Sequence, residues 1–129
     1  MKSVLFVCVE NACRSQLAEA ICNSYYGYAL QASSAGSRPA DKVNPKAISS
    51  LLRMGLSIEP NQPKDVKTFE NDHFDYVVTM GCGDKCPHIP GAMVFDWQIP
   101  DPKHMSDSDF DAIRDLIDLK IQSELISDA

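Results

Sequence analysis

Cys8 and Arg14, with Ser15 directly after, carry the chemistry that stands out in this chain. A cysteine thiolate is a strong nucleophile near neutral pH, and a guanidinium presents a planar fork of donors that fits a tetrahedral oxyanion. The intervening Val9-Glu10-Asn11-Ala12-Cys13 is short enough for Arg14 to come round towards Cys8. If that stretch joins a strand to a helix, its backbone N–H groups and the helix dipole converge on the same anion. Cys8 then sits beneath the anion, in surroundings that favour its ionised form. Ser15 can donate to the sulfur and help it leave, and Asn11 can hold the loop through side-chain to backbone hydrogen bonds. The bland alternative is that Cys8 is a small, inert core residue.

Such a loop needs a strand before it and a helix after it. Val4-Leu5-Phe6-Val7 is a short apolar run rich in β-branched residues, the pattern of a strand buried on both faces of a parallel sheet. Leu17, Ile21 and Tyr25 recur at helical spacing, and Gly27 stands where that helix should end. A second strand is expected within 28–33. Asn44-Pro45 then offers a cap and first-turn pair for a helix through Ile48, Leu51 and Leu52 that stops at Gly55. Tyr76-Val77-Val78-Thr79 reads as another buried strand, and 92–95 as a shorter one. The last helix starts at Ser106, with Asp109 in capping-box register and Phe110, Ile113, Ile117, Ile121 and Leu125 on one stripe. Strands alternating with helices predict an α/β fold with a parallel sheet covered on both faces. Ligands of such sheets bind beyond the carboxyl ends of the strands, so Cys8, Cys82 and the 96–101 segment are expected along one edge.

With 129 residues, 44% hydrophobic and 23% charged, the chain has the composition of one soluble domain spanning 1–129. That size buries a core without disulfide staples, so the five cysteines call for another explanation. Twelve Lys and Arg against eighteen Asp and Glu, a net charge of -6, speak against a nucleic-acid partner. The apolar stretch 4–9 is far shorter than the ~20 residues of a membrane span and is closed by Glu10. Only Lys2 precedes it and no cleavage pattern follows, so neither a membrane partner nor a signal peptide is expected. A cytoplasmic location follows, where cysteines read as thiol chemistry or metal binding.

Cys82 and Cys86 form a second cluster after the Tyr76–Thr79 run, flanked by Gly81, Gly83 and Pro87. With Cys13, Cys8 or His88 they could complete a zinc site, but a cation beside Arg14 would be repelled, and no metal or other cofactor is expected. His73, His88 and His104 show no paired spacing. Cys22, beside Ile21, reads as packing, and Cys13 as a lining residue or a backup thiol for Cys8. Trp97 either covers the edge of the pocket or anchors its loop.

Cys-x5-Arg-Ser after an N-terminal strand, in a chain of this length with a late Asp101-Pro102, resembles the low-molecular-weight tyrosine phosphatase superfamily, which includes the thioredoxin-coupled arsenate reductases. The resemblance covers nearly the whole chain. It implies a three-layer α/β fold with a four-stranded parallel sheet and helices on both faces. It also implies an arsenate or phosphate oxyanion held by Glu10, Asn11, Ala12, Cys13 and Arg14, attack by Cys8, and Asp101 as general acid. Gln16 fits the reductase branch, which commonly reads Arg-Ser-Gln where phosphatases read Arg-Ser-Pro. That branch uses further cysteines to carry electrons onward, which assigns Cys82 and Cys86 to a thiol-disulfide relay emptied by a thioredoxin-like reductant. Asn11, Glu19 and Ser34 correspond to a monovalent-cation site of some of these reductases.

Three features depart from the pattern. Glu10 stands where many family loops have Gly, Cys82 and Cys86 are unusually close, and Lys103 replaces the aromatic residue that helps phosphatases grip phosphotyrosine. The leading expectation is an arsenate reductase. The alternative is a protein tyrosine phosphatase acting through a phosphocysteine, and a third class is a non-catalytic anion- or zinc-binding module.

Overall fold

A computed structural model describes residues 1–57, 62–81 and 89–126. Its centre is a sheet of four parallel strands, β1 (Lys2–Cys8), β2 (Leu30–Gly36), β3 (Tyr76–Thr79) and β4 (Met93–Asp96), in the order β2-β1-β3-β4. The order reverses between β1 and β3, which makes the carboxyl end of β1 the place where a ligand crevice opens.

The alternation of β1 sends Val4, Phe6 and Cys8 to one face and Leu5 and Val7 to the other, and all five are buried. The first face is covered by α1 (Arg14–Tyr25), α2 (Pro45–Arg53) and α3 (Asp107–Lys120), through Leu17, Ile21, Ala47, Leu51, Phe110, Ile113 and Ile117. On the second face Leu5, Val7, Ala35 and Val77 pack against Phe74 and Ile89, with Val66 and Phe69 of a short 3-10 helix (Val66–Phe69) alongside. The result is the expected three-layer α/β arrangement. Burial at this depth makes the central strand intolerant of truncation, and Phe6→Ala is expected to cost about 3–5 kcal/mol.

The local signals act as their chemistry dictates. Asn44 caps α2 by accepting from the Lys46 N–H, with Pro45 in the first turn, and Ser106 caps α3 by accepting from the Asp109 N–H at 3.2 Å. The stripe continues past α3 into a wider π-helical turn, Ile121–Ile126, that keeps Ile121 and Leu125 buried. The second strand differs from expectation. It begins at Leu30 rather than 28 and runs on to Gly36, because Ser34, Ala35 and Gly36 pair with Phe6, Val7 and Cys8 while Tyr28 stays exposed in the preceding turn. Trp97 is an anchor: it is 2% exposed, packs on Phe6 with ring centroids 6.1 Å apart, and donates from Nε1 to Glu124 at 3.1 Å. Among the described residues no helix is long and apolar enough to cross a membrane.

Candidate active site

β1 delivers Cys8 to the switch point, and α1 begins at Arg14, so the five residues between them form a strand-to-helix loop. The carbonyls of Cys8, Val9, Glu10 and Ala12 accept from the N–H groups of Ser37, Arg38, Ala40 and Asn44 at 2.8–3.2 Å. Those bonds pin the loop from outside. None of the N–H groups of Glu10, Asn11, Ala12 and Cys13 donates to another backbone group among the described residues, which leaves them free for an anion. Gly36 lets the end of β2 approach so closely: a Cβ there would lie 2.5 Å from the Val9 carbonyl and 2.9 Å from the Asn11 nitrogen.

Asn11 shapes the turn. It adopts φ 53°, a left-handed conformation that Asn tolerates better than most residues, and it is fully buried. Its Oδ1 accepts from the Lys64 N–H at 2.9 Å and from Gln16 Nε2 at 3.1 Å. A backbone N–H can only donate, so that contact fixes which way the amide faces. Nδ2 therefore donates to Ser15 Oγ at 2.7 Å. Ser15 Oγ lies 2.8 Å from Cys8 Sγ, and with Asn11 supplying a donor to its oxygen, the hydroxyl hydrogen is available to the sulfur. Lys64, Asn11, Ser15 and Cys8 thus make a directed chain that ends on the candidate nucleophile.

A cavity of about 230 Å3 opens above this loop, lined by the buried Cys8, Ala12, Cys13 and Arg14 and by the more exposed Glu10, Arg38, Asp101 and Lys103. That is below the roughly 300–1,000 Å3 of pockets for drug-sized ligands, a size suited to a small anion. Arg14 is 8% exposed; its Nη1 donates to the Ile99 carbonyl at 3.1 Å and its Nη2 stands 3.9 Å from Asp101 Oδ2. Gly81 makes room for it, since a Cβ there would lie 2.6 Å from Arg14 Nη1 and the residue has φ +95°. The segment after β4 therefore positions Arg14 through Ile99 and brings Asp101 into the cavity lining.

Asp101 is half exposed, and its Oδ1 accepts from the Lys103 N–H at 3.1 Å. Lys103 Nζ reaches back to Glu10, 3.1 Å from Oε1 and 3.3 Å from Oε2. Hydrogen bonding and the charge of Glu10 hold that ammonium above its ordinary value. The Cys13 thiol is pushed up to about 12, chiefly by burial and then by the charges of Asp101 and Cys8, against smaller opposing effects of Asn44 and Arg14. Burial alone pushes the Cys22 thiol up to about 12. Both remain protonated at neutral pH and are poor nucleophiles.

Of the residues singled out in the sequence, Cys8, Glu10, Ala12, Cys13, Arg14 and Asp101 line one cavity, with Asn11 and Ser15 directly behind it. Cys82, Cys86 and His88 lie outside the described residues. Asp96 is absent from the lining; its carboxylate accepts from Thr79 Oγ1 at 2.9 Å and Gln98 Nε2 at 3.2 Å. Ser34 Oγ donates to Glu19 Oε1 at 2.6 Å, while Asn11 Oδ1 already serves two donors. Sequence reasoning missed Arg38, Ile99, Lys64 and Gly36, which join the site from positions distant in the chain and carry no local signature.

The family model described as low molecular weight phosphotyrosine protein phosphatase matches residues 3–126. An arsenate reductase of Staphylococcus aureus is 34% identical over 128 residues, covering 94% of each chain. The solved structure of a thioredoxin-dependent arsenate reductase of Corynebacterium glutamicum is similar with a TM-score of 0.77 and 35% identity, covering 98% of this chain and 61% of that one. An arsenate reductase solved in its phosphate-binding state is similar with a TM-score of 0.86 and 27% identity over 98% of both chains.

Proposed function

Because the chain belongs to the low molecular weight phosphotyrosine protein phosphatase family, we propose that it is an arsenate reductase of that family's reductase branch, with Cys8 as nucleophile and a thioredoxin-like protein as reductant. The observation that carries this reading is the placement of Cys8 Sγ against Ser15 Oγ at 2.8 Å, in a small cavity that Arg14 and Asp101 also line. The names of the relatives supply the substrate class.

Arsenate is held by the loop amides and by the Arg14 guanidinium, which offers two donors in one plane. The Cys8 thiolate attacks arsenic, an S–As bond forms, and an As–O bond breaks as water leaves with a proton from Asp101. Cys82 as thiolate then attacks Cys8 Sγ. An S–S bond forms, the S–As bond breaks, and its electron pair stays on arsenic, which departs as arsenite. Cys86 attacks Cys82 and releases Cys8 as thiolate, leaving a Cys82–Cys86 disulfide for a dithiol of the thioredoxin type to reduce.

Phosphate-ester hydrolysis through a phosphocysteine would use the same Cys8, Arg14 and Asp101, and the family description favours it as the second reading. Lys103 in the cavity lining, in place of an aromatic surface for phosphotyrosine, weighs against it. Multiple-turnover arsenate reduction with thioredoxin, thioredoxin reductase and NADPH tests the proposal. NADPH consumption that depends on arsenate supports it, and hydrolysis of aryl phosphates without arsenate-dependent consumption replaces it with the phosphatase.

A further inference from the structure

Glu10 puts a carboxylate into the rim of a loop built to receive an anion, where an uncompensated negative charge would oppose binding. Among the described residues the cavity lining holds three cationic side chains, Arg14, Arg38 and Lys103, and two carboxylates, Glu10 and Asp101. Among these lining side chains it is Lys103 that engages Glu10, at 3.1 Å and 3.3 Å from its two oxygens. Arg14 is turned instead to Ile99 and Asp101. The pair joins residues 93 apart, from the loop after β1 to the segment after β4. The side chains of Lys103 and Glu10 are 43% and 39% exposed, and ion pairs so exposed contribute little to stability. Its location points to binding rather than folding.

The same residue also touches the candidate acid: the Lys103 N–H donates to Asp101 Oδ1 at 3.1 Å while its ammonium holds Glu10. One residue thus ties the acid-bearing segment to the anion loop. We propose that Lys103 is a positioning residue that neutralises Glu10 and holds its carboxylate back, so that the cavity accepts a multiply charged inorganic oxyanion. This rests on the oxyanion reading above. It converts two of the departures from the family pattern, Glu10 and Lys103, into a compensating pair.

The pairing makes a signed prediction. Without Lys103 the two remaining cations of the lining face two carboxylates, and the attraction for an anion falls. Removing Glu10 as well restores the excess of one positive charge. Calorimetric titration of the reduced, full-length protein with inorganic phosphate reads this without any dependence on the cysteine relay. Lys103→Met is expected to weaken phosphate binding by about three- to tenfold, an effect that shrinks at high ionic strength because the charges are exposed. Lys103→Arg, which keeps the charge, should retain most of the affinity, and the double variant Glu10→Gln with Lys103→Met should recover most of what Lys103→Met loses. In arsenate turnover, Lys103→Met should raise KM more than it lowers kcat. Unchanged phosphate affinity in Lys103→Met, or equal weakening in the single and double variants, overturns the compensation while leaving the oxyanion site standing. Failure of the wild-type protein to bind phosphate overturns both.

Discussion

Ser15 Oγ stands 2.8 Å from Cys8 Sγ and receives the Asn11 amide at 2.7 Å, so the hydroxyl is oriented by the same residue that bends the loop. The consequence is a donor aimed at the Cys8 sulfur, one that becomes charge-assisted in the proposed reaction, where Cys8 acts as a thiolate. Hydrogen bonds to charged groups are worth about 1.5–3 kcal/mol, or about tenfold to a hundredfold in rate. Ser15→Ala is therefore expected to lower arsenate turnover by at least about tenfold, with phosphate affinity changed less than about threefold. Equal turnover in the variant would remove Ser15 from the chemistry.

In the proposed mechanism Asp101 gives a proton to the departing oxygen; it stands 3.9 Å from Arg14 Nη2 in the cavity lining. Asp101→Asn keeps the shape but has no proton of suitable acidity to give, so single-turnover arsenate chemistry should slow by about 10²–10⁴-fold while phosphate binding holds or tightens. A variant with the wild-type rate and pH profile would move the acid role to another group.

Away from the site, Asp111 joins α2 to α3 by accepting from Arg53 Nε and Nη2, both at 2.7 Å, and from Ser50. Arg53 first, then Ser50 and Arg114, hold its carboxyl at about 2, against the opposing effect of burial. A carboxylate lowered in the folded state stabilises it above the unfolded value near 4, and the contribution disappears as pH falls through about 2. After allowance for solvent screening, Asp111→Asn should cost about 1–2 kcal/mol at pH 7 by urea unfolding, with the deficit vanishing below pH ~2. A deficit independent of pH would assign the loss to packing rather than charge.

The strand, loop and helix around Cys8 are legible in the sequence because their residues are contiguous: an apolar run, a short loop and a period of 3.6 suffice. The α3 stripe is legible for the same reason, down to Leu125. The second strand is less so. Ser33, Ser34, Ala35 and Gly36 carry weak strand propensity, and only their register against β1 makes them a strand, whereas Tyr28 has the propensity and sits in a turn. Within the site, residue identities could be read but not their partners. The contacts of Lys64 with Asn11, of Ile99 with Arg14 and of Lys103 with Glu10 span 53, 85 and 93 positions, and no local pattern encodes such pairings. Cys82 and Cys86 rest on sequence and kinship alone.

Those two cysteines carry the step that most directly separates a reductase from a phosphatase. Peptide mapping by mass spectrometry of the Cys86→Ser variant, quenched after treatment with excess arsenate and no external reductant, asks directly whether oxidation passes from Cys8 to Cys82. The relay requires about one arsenite released per chain and a Cys8–Cys82 disulfide, because the remaining thiols, Cys13 and Cys22, are buried and held protonated and do not carry the oxidation onward. Repeated wild-type turnover by this variant when thioredoxin is supplied, or arsenite formed with Cys82 still a free thiol, would contradict it.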